Sequence, residues 1–133
     1  MGWVVKFGGL TAGAAGLWML AAAGQPSALS QTAGGLWEVT GAPGSAPPIR
    51  QCVADTRQLA QFEHRGLPCP RTILSDSGVN AVIQYNCAAS GFGTSKLTVI
   101  TPRSLRIETQ GISGGLPFNY VIQARRVGSC PVH

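Results

Sequence analysis

From Gly35 onward the chain alternates apolar and polar residues in short runs broken by glycine, proline and serine, the pattern of strands that bury one face. Residues 35–40 (GLWEVT) are the first run, closed by Gly41. Residues 42–48 (APGSAPP) exclude helix and central strand, and residues 49–53 return as a second strand carrying Cys52. Asp55 is placed to cap a helix, with Gln58 three residues on and Leu59 and Phe62 at helical spacing. That spacing predicts one short helix over residues 56–63, packed on the sheet through Leu59 and Phe62 and ended by Gly66-Leu67-Pro68. Residues 69–87 hold two β-rich arms around Ser75-Asp76-Ser77-Gly78, residue types that favour a reversal. Folding the arms about Gly78 sets Cys69 opposite Cys87.

Residues 88–93 read as a turn and residues 94–101 as a strand with Leu97 and Val99 on one face and Lys96 and Thr98 on the other. Residues 105–109 turn Leu105 and Ile107 inward, residues 111–117 read as a glycine-rich loop, and a last strand over 118–127 places Phe118, Tyr120, Ile122 and Ala124 on one face. About seven short strands and one helix predict a mainly β fold. The expected form is a single antiparallel meander, strongly curved or a half-open barrel, with the helix closing one end; a sandwich is the alternative.

The leader and the cysteines set the compartment. Lys6 and the α-amino group precede an uncharged run rich in Gly, Ala and Leu, and Ala21-Ala22-Ala23 supplies small residues at its exit. This reads as a cleavable signal peptide over residues 1–23, a helical leader, followed by a flexible lead-in over 24–34, the domain over 35–130 and a tail over 131–133. Left uncleaved, the leader is at the lower edge of what spans a bilayer, about 17 residues, and it is the one membrane contact expected beyond surface attraction. Four cysteines in an exported chain imply two disulfides in an oxidising compartment such as the periplasm. Three pairings are formally possible; the hairpin selects Cys69–Cys87 and leaves Cys52–Cys130. Zinc is the competing use, but no C-x-x-C pair is present and His64 stands alone, so no metal or cofactor is implied.

The formal net charge of +5 is spread over scattered arginines whose longest run is Arg125-Arg126, which suits a solvated surface and gives no nucleic-acid stripe. The minority reading is attraction to anionic lipid or cell-wall polymer. No positioned nucleophile or acid–base pair stands out. His64 is expected exposed at a helix end, bonding its own last carbonyls, and His133 is in the tail. Glu38 and Glu108 would matter to glycan chemistry if they faced each other; pairing with arginine across the sheet is the expectation. Residues 91–96 (GFGTSK) lack the order of a phosphate loop and read as a turn. Trp37, Phe118 and Tyr120 fit a core face, the other use being to line an apolar cavity.

The resulting expectation is a non-catalytic binding or interaction module, with a small apolar or amphipathic ligand on the concave face as its sharper form. An envelope-associated structural protein touching anionic lipid or glycan is the alternative, and an enzyme acting on envelope glycan or peptide has least support.

Residues 35–40, Gln51-Cys52, the 69–87 hairpin with Ser77-Gly78 at its turn, and residues 124–130 (ARRVGSC) together resemble the bacterial family catalogued as domain of unknown function 3617. The resemblance spans nearly all of the chain beyond the leader. It implies a small exported protein of Gram-negative bacteria and brings no activity, substrate or catalytic residue.

Overall fold

The computed structural model describes residues 26–44 and 47–132, and the expected signal peptide lies outside them. Seven strands form one antiparallel sheet: β1 Gly35–Thr40, β2 Ile49–Val53, β3 Arg71–Ser77, β4 Asn80–Asn86, β5 Gly91–Thr101, β6 Ser104–Ser113 and β7 Leu116–Gly128. The spatial order is β2-β1-β7-β6-β5-β4-β3. From β3 to β7 the sheet is a meander, and the β1–β2 hairpin adds on beyond β7, so the beginning of the domain lies beside its end. One interruption breaks the meander: β2 and β3, consecutive in sequence, occupy opposite edges. A sandwich is excluded because one sheet carries all the strands of the described residues, and the sheet stops short of a closed barrel.

Alternation along each strand sorts the side chains. Trp37, Val39, Ala81, Ile83, Leu97, Leu105, Ile107, Ile122 and Ala124 form the buried face. The chain between β2 and β3 supplies what covers it. Thr56–His64 is a 3-10 helical segment, and Leu59, Ala60 and Phe62 enter the core from it. Its start follows the capping logic: the Asp55 side chain accepts from Arg57 N at 2.9 Å, and Gln58 Oε1 accepts from Ala54 N at 2.7 Å and Asp55 N at 3.1 Å. Gln61 breaks the helical geometry at φ −107°, ψ 39°, which splits the segment into two short turns. Bulges between Leu36 and Trp37, Ile73 and Ser75, and Val99 and Thr101 bend the strands.

Four expectations are corrected. Residues 26–34 of the lead-in, expected to be flexible, are packed: Ala28 and Leu29 are buried, and the Asp76 carboxylate accepts from Ser27 Oγ, from Ala28 N at 2.6 Å and from Leu29 N at 3.2 Å. Apolar periodicity could not reveal this, because the anchor is one carboxylate remote in sequence. Ser75, Asp76 and Ser77 are strand, not turn; the reversal is Gly78-Val79, between the paired Ser77 and Asn80, with Gly78 at φ +67°. The glycine-rich stretch 111–117 is mostly strand, since β6 and β7 meet at the tight turn Gly114-Gly115, where both φ are positive. Residues 91–93 likewise belong to β5 rather than to a turn.

Both disulfides pair as read. Cys69 and Cys87 lie 4.7 Å apart at Cα and Cys52 and Cys130 5.5 Å apart. Asn86 N donates to Pro70 O at 3.1 Å, so Pro70 and Asn86 are a hydrogen-bonded pair and the flanking Cys69–Cys87 position is a non-hydrogen-bonded one, where opposing Cβ atoms are closest. The second bridge ties edge strand β2 to the chain just past β7, on either side of the start of β1.

Candidate functional site

Glycines in strands usually weaken them, and here they make room for a buried polar group. Gly93 on β5 is the cross-strand partner of Tyr85, and a Cβ built on it would lie 2.7 Å from the Tyr85 hydroxyl. Gly91, at φ +128°, leaves similar room beside His64 Nε2. Into that space His64 projects from the end of the helical segment, 5% exposed. Nδ1 pairs with Tyr85 Oη at 2.9 Å and Nε2 with the Ser90 carbonyl at 2.9 Å. A carbonyl only accepts, so Nε2 carries a proton and, in the neutral ring, Nδ1 accepts from the tyrosine. Thus His64 is neither exposed nor bonded to its own helix end. Phe118 packs on it at 6.0 Å between centroids and on Tyr120 at 5.8 Å, while Tyr120 Oη donates to Glu63 Oε1 at 2.8 Å.

Burial and nearby charge keep the two phenols, Tyr85 and Tyr120, protonated. Burial, helped by the negative charge of Glu63, pushes the Tyr85 hydroxyl up to about 12. Tyr120 is raised further, first by burial and then by its hydrogen bond to the Glu63 carboxylate. Neither phenol is a nucleophile near neutrality, and every polar atom named here is spent on a protein partner. The cluster is a locked internal network.

The aromatic residues proposed from sequence therefore divide. Trp37 is fully buried, its Nε1 donating to the Ala33 carbonyl at 3.1 Å; it is core. Phe118 and Tyr120 are half-buried at the open end of the same face. Glu38 and Glu108 are kept apart by β7. Glu38 lies between Arg50 at 3.2 Å and Arg125 at 3.4 Å, both its cross-strand partners, and Glu108 pairs with Arg106 at 2.8 Å. No group of three or more His, Cys, Asp or Glu able to hold a metal is present among the described residues.

A cleft opens at the seam where the sheet fails to close. Gln51 of β2, Gln58, Gln61 and Arg65 of the helical segment and its exit, and Arg71 of β3 line one cleft of about 430 Å³ with Gly66, Leu67 and Pro68. Side chains from both edge strands share it, so the two edges face each other across the helix. Gln61 is the fixed floor: its Nε2 donates to the carbonyls of His64 at 3.1 Å and Leu67 at 2.9 Å, and its Oε1 accepts from Arg71 Nη1 at 2.7 Å. Arg65 is held by Phe62, donating to its carbonyl at 3.0 Å and lying 4.3 Å over its ring. Gln51 Oε1 is buried and has no hydrogen-bond partner among the described residues. Sequence reading missed this site because it assigned no role to Gln51, Gln61 or Arg71, whose convergence depends on β2 and β3 lying at opposite edges.

Fold and site define a disulfide-stapled, open seven-stranded β module whose hydrophobic face is filled by its own helix and whose polar cleft lies at the unclosed seam. Compared with family models, with curated protein sequences and with solved structures, the chain finds no match. Among the described residues no helix is long and apolar enough to cross a membrane.

Proposed function

We propose that this protein is exported to the periplasm of a Gram-negative bacterium, after removal of a signal peptide, and acts there as a binding or interaction module without catalysis, as a member of the family catalogued as domain of unknown function 3617. The observation that carries the reading is the seam: two cationic side chains and three amides gathered at an opening between strand edges. The two disulfides support export, because such bridges persist in oxidising compartments. Leu59, Ala60 and Phe62 take up the concave face, which favours an amphipathic ligand at the seam over a purely apolar one inside.

Native mass spectrometry of the mature protein, purified gently from a periplasmic extract, tests this reading. A reproducible bound peptide, protein or amphiphile is expected; a bare mass at every salt concentration, with no partner recovered by crosslinking, would refute it. A second reading, contact with anionic lipid or glycan, has one observation in its favour. Arg50 and Arg125 are well exposed on the outer face and share the single carboxylate of Glu38, leaving an excess of positive charge there. It requires co-sedimentation with anionic vesicles that weakens as salt rises.

A further inference from the structure

We infer that the seam holds a short extended peptide segment of a partner protein, which adds to the free edge of β3 and places an acidic side chain against Arg71 and Arg65. This deepens the binding-module reading and rests on it. The hydrogen-bond phase of β3 leaves one side of the strand unpaired. Pro70 and Asn86 are a hydrogen-bonded pair, and along an antiparallel ladder such pairs alternate with non-bonded ones. Arg71 and Ile73, opposite Tyr85 and Ile83, therefore turn their N–H and C=O groups away from β4. Nothing among the described residues pairs with that edge.

The side chains along this edge are apolar and cationic. Ile73 and Leu67 are 44% and 41% exposed, apolar shoulders beside a cleft whose charged residues are both arginines. One N–H of Arg71 is used on Gln61, which fixes the guanidinium in place and leaves further donors for a carboxylate. In an added strand alternate side chains face the helix side, so one acidic residue reaches Arg71 while the backbone pairs with Arg71 and Ile73. The edge also limits what can bind. The bulge at Leu74 ends regular pairing after Ile73, and the charge of Arg71 disfavours a long like-charged ladder with a second copy. A short acidic strand meets neither obstacle.

The test is an NMR titration of the ¹⁵N-labelled, disulfide-intact mature chain with two blocked hexapeptides, Ac-VEVEVE-NH2 and Ac-VKVKVK-NH2. The acidic peptide is expected to bind saturably, moving the amides of Arg71 and Ile73, and the lysine peptide to bind at least about tenfold more weakly. Arg71→Glu should reverse that preference; Arg71→Gln, the milder change, should weaken the acidic peptide and leave the lysine peptide no better. Equal binding of both peptides, or shifts confined to the outer face around Val82 and Lys96, would overturn the assignment. So would concentration-dependent dimerisation through β3, which would make a second copy the occupant. If neither hexapeptide binds while a polypeptide partner still accompanies the protein from the periplasm, the seam assignment falls and the binding-module reading stands; if neither is found, both fall.

Discussion

Replacing Asp76 by alanine should release the segment that precedes the sheet. The Asp76 carboxylate accepts from Ala28 N at 2.6 Å, from Leu29 N at 3.2 Å and from Ser27 Oγ, so it caps the short turn Leu29–Gln31 from a strand far away in sequence. Hydrogen bonds to a charged acceptor contribute about 1.5–3 kcal/mol each when well formed, and losing a capping side chain costs about 0.5–2 kcal/mol. Of the two backbone bonds one is short and one long, and the site is part-exposed, so a loss of about 2 kcal/mol is expected. Undocking would also expose Leu29, worth about 1.5–3 kcal/mol of burial, against which the freed residues regain roughly 1 kcal/mol of backbone entropy apiece. Gln31 Nε2, which donates to the Gly78 carbonyl at 2.8 Å, and Thr32, whose hydroxyl pairs with that of Thr56 at 2.8 Å, provide the remaining hold.

Two readouts separate local from global effects. Urea unfolding should show a loss of about 2 kcal/mol; hydrogen exchange at Ala28 and Leu29 should lose nearly all its protection, while the amides of β5 and β6, which open only with the whole domain, quicken by no more than the roughly thirtyfold that this loss corresponds to. Asp76→Asn, which keeps an acceptor but not the charge, should lose less. A loss below about 0.5 kcal/mol with Ala28 and Leu29 still protected would refute the claim that Asp76 holds the segment.

Four further outcomes follow from the same structure. Gly93→Ala should push the Tyr85 ring off His64, lowering stability by more than Tyr85→Phe, which removes the hydroxyl alone; thermal unfolding of both variants checks the order. The pH dependence of stability has a definite sign: because Tyr85 is raised to about 12 in the folded protein against 10.0 unfolded, its contribution is full below about pH 10 and is lost as pH rises through 12. Tyr85→Phe should flatten that alkaline decline in a stability–pH series. Removing Cys52–Cys130, which closes a loop of sequence separation 78, should cost more than removing Cys69–Cys87, of separation 18, about 4–5 against about 3 kcal/mol on the chain-entropy model, as read by urea midpoints of the two double alanine variants. Trp37→Ala should cost about 3–5 kcal/mol through an internal cavity and leave any bound species unchanged in the native mass spectrum.

Much of this architecture was legible because each strand needs only its own alternation to declare its faces. Leu97 and Val99, Leu105 and Ile107, and Ile122 and Ala124 lie inward as their spacing requires. The Cys69–Cys87 staple was readable because a hairpin is local, and the bulge at Leu74 with a Gly78-Val79 turn moves the reversal without disturbing the register at its base. The lead-in and the glycine-rich stretches were not readable in that way. Ala28 and Leu29 are ordered by Asp76, and Gly91 and Gly93 are in a strand because Tyr85 and His64 need the space of two side chains. Both facts depend on residues brought together only by the finished sheet. The candidate site lay further out of reach: Gln51, Gln61 and Arg71 come from three elements, and the cleft they share exists because β2 pairs with β1 and leaves β3 unpaired on one side.

Site-specific photocrosslinking in cells that produce the protein decides whether the unclosed seam is the working surface. A photoreactive phenylalanine analogue is placed in turn at Ile73, on the seam, and at Val121, on the outer face; at 44% and 40% exposed the two positions offer nearly equal access. A working seam gives discrete adducts from Ile73 that disappear with Arg71→Glu, and none from Val121. Adducts from Val121 with none from Ile73 would contradict it and move the working surface to the outer face of the sheet.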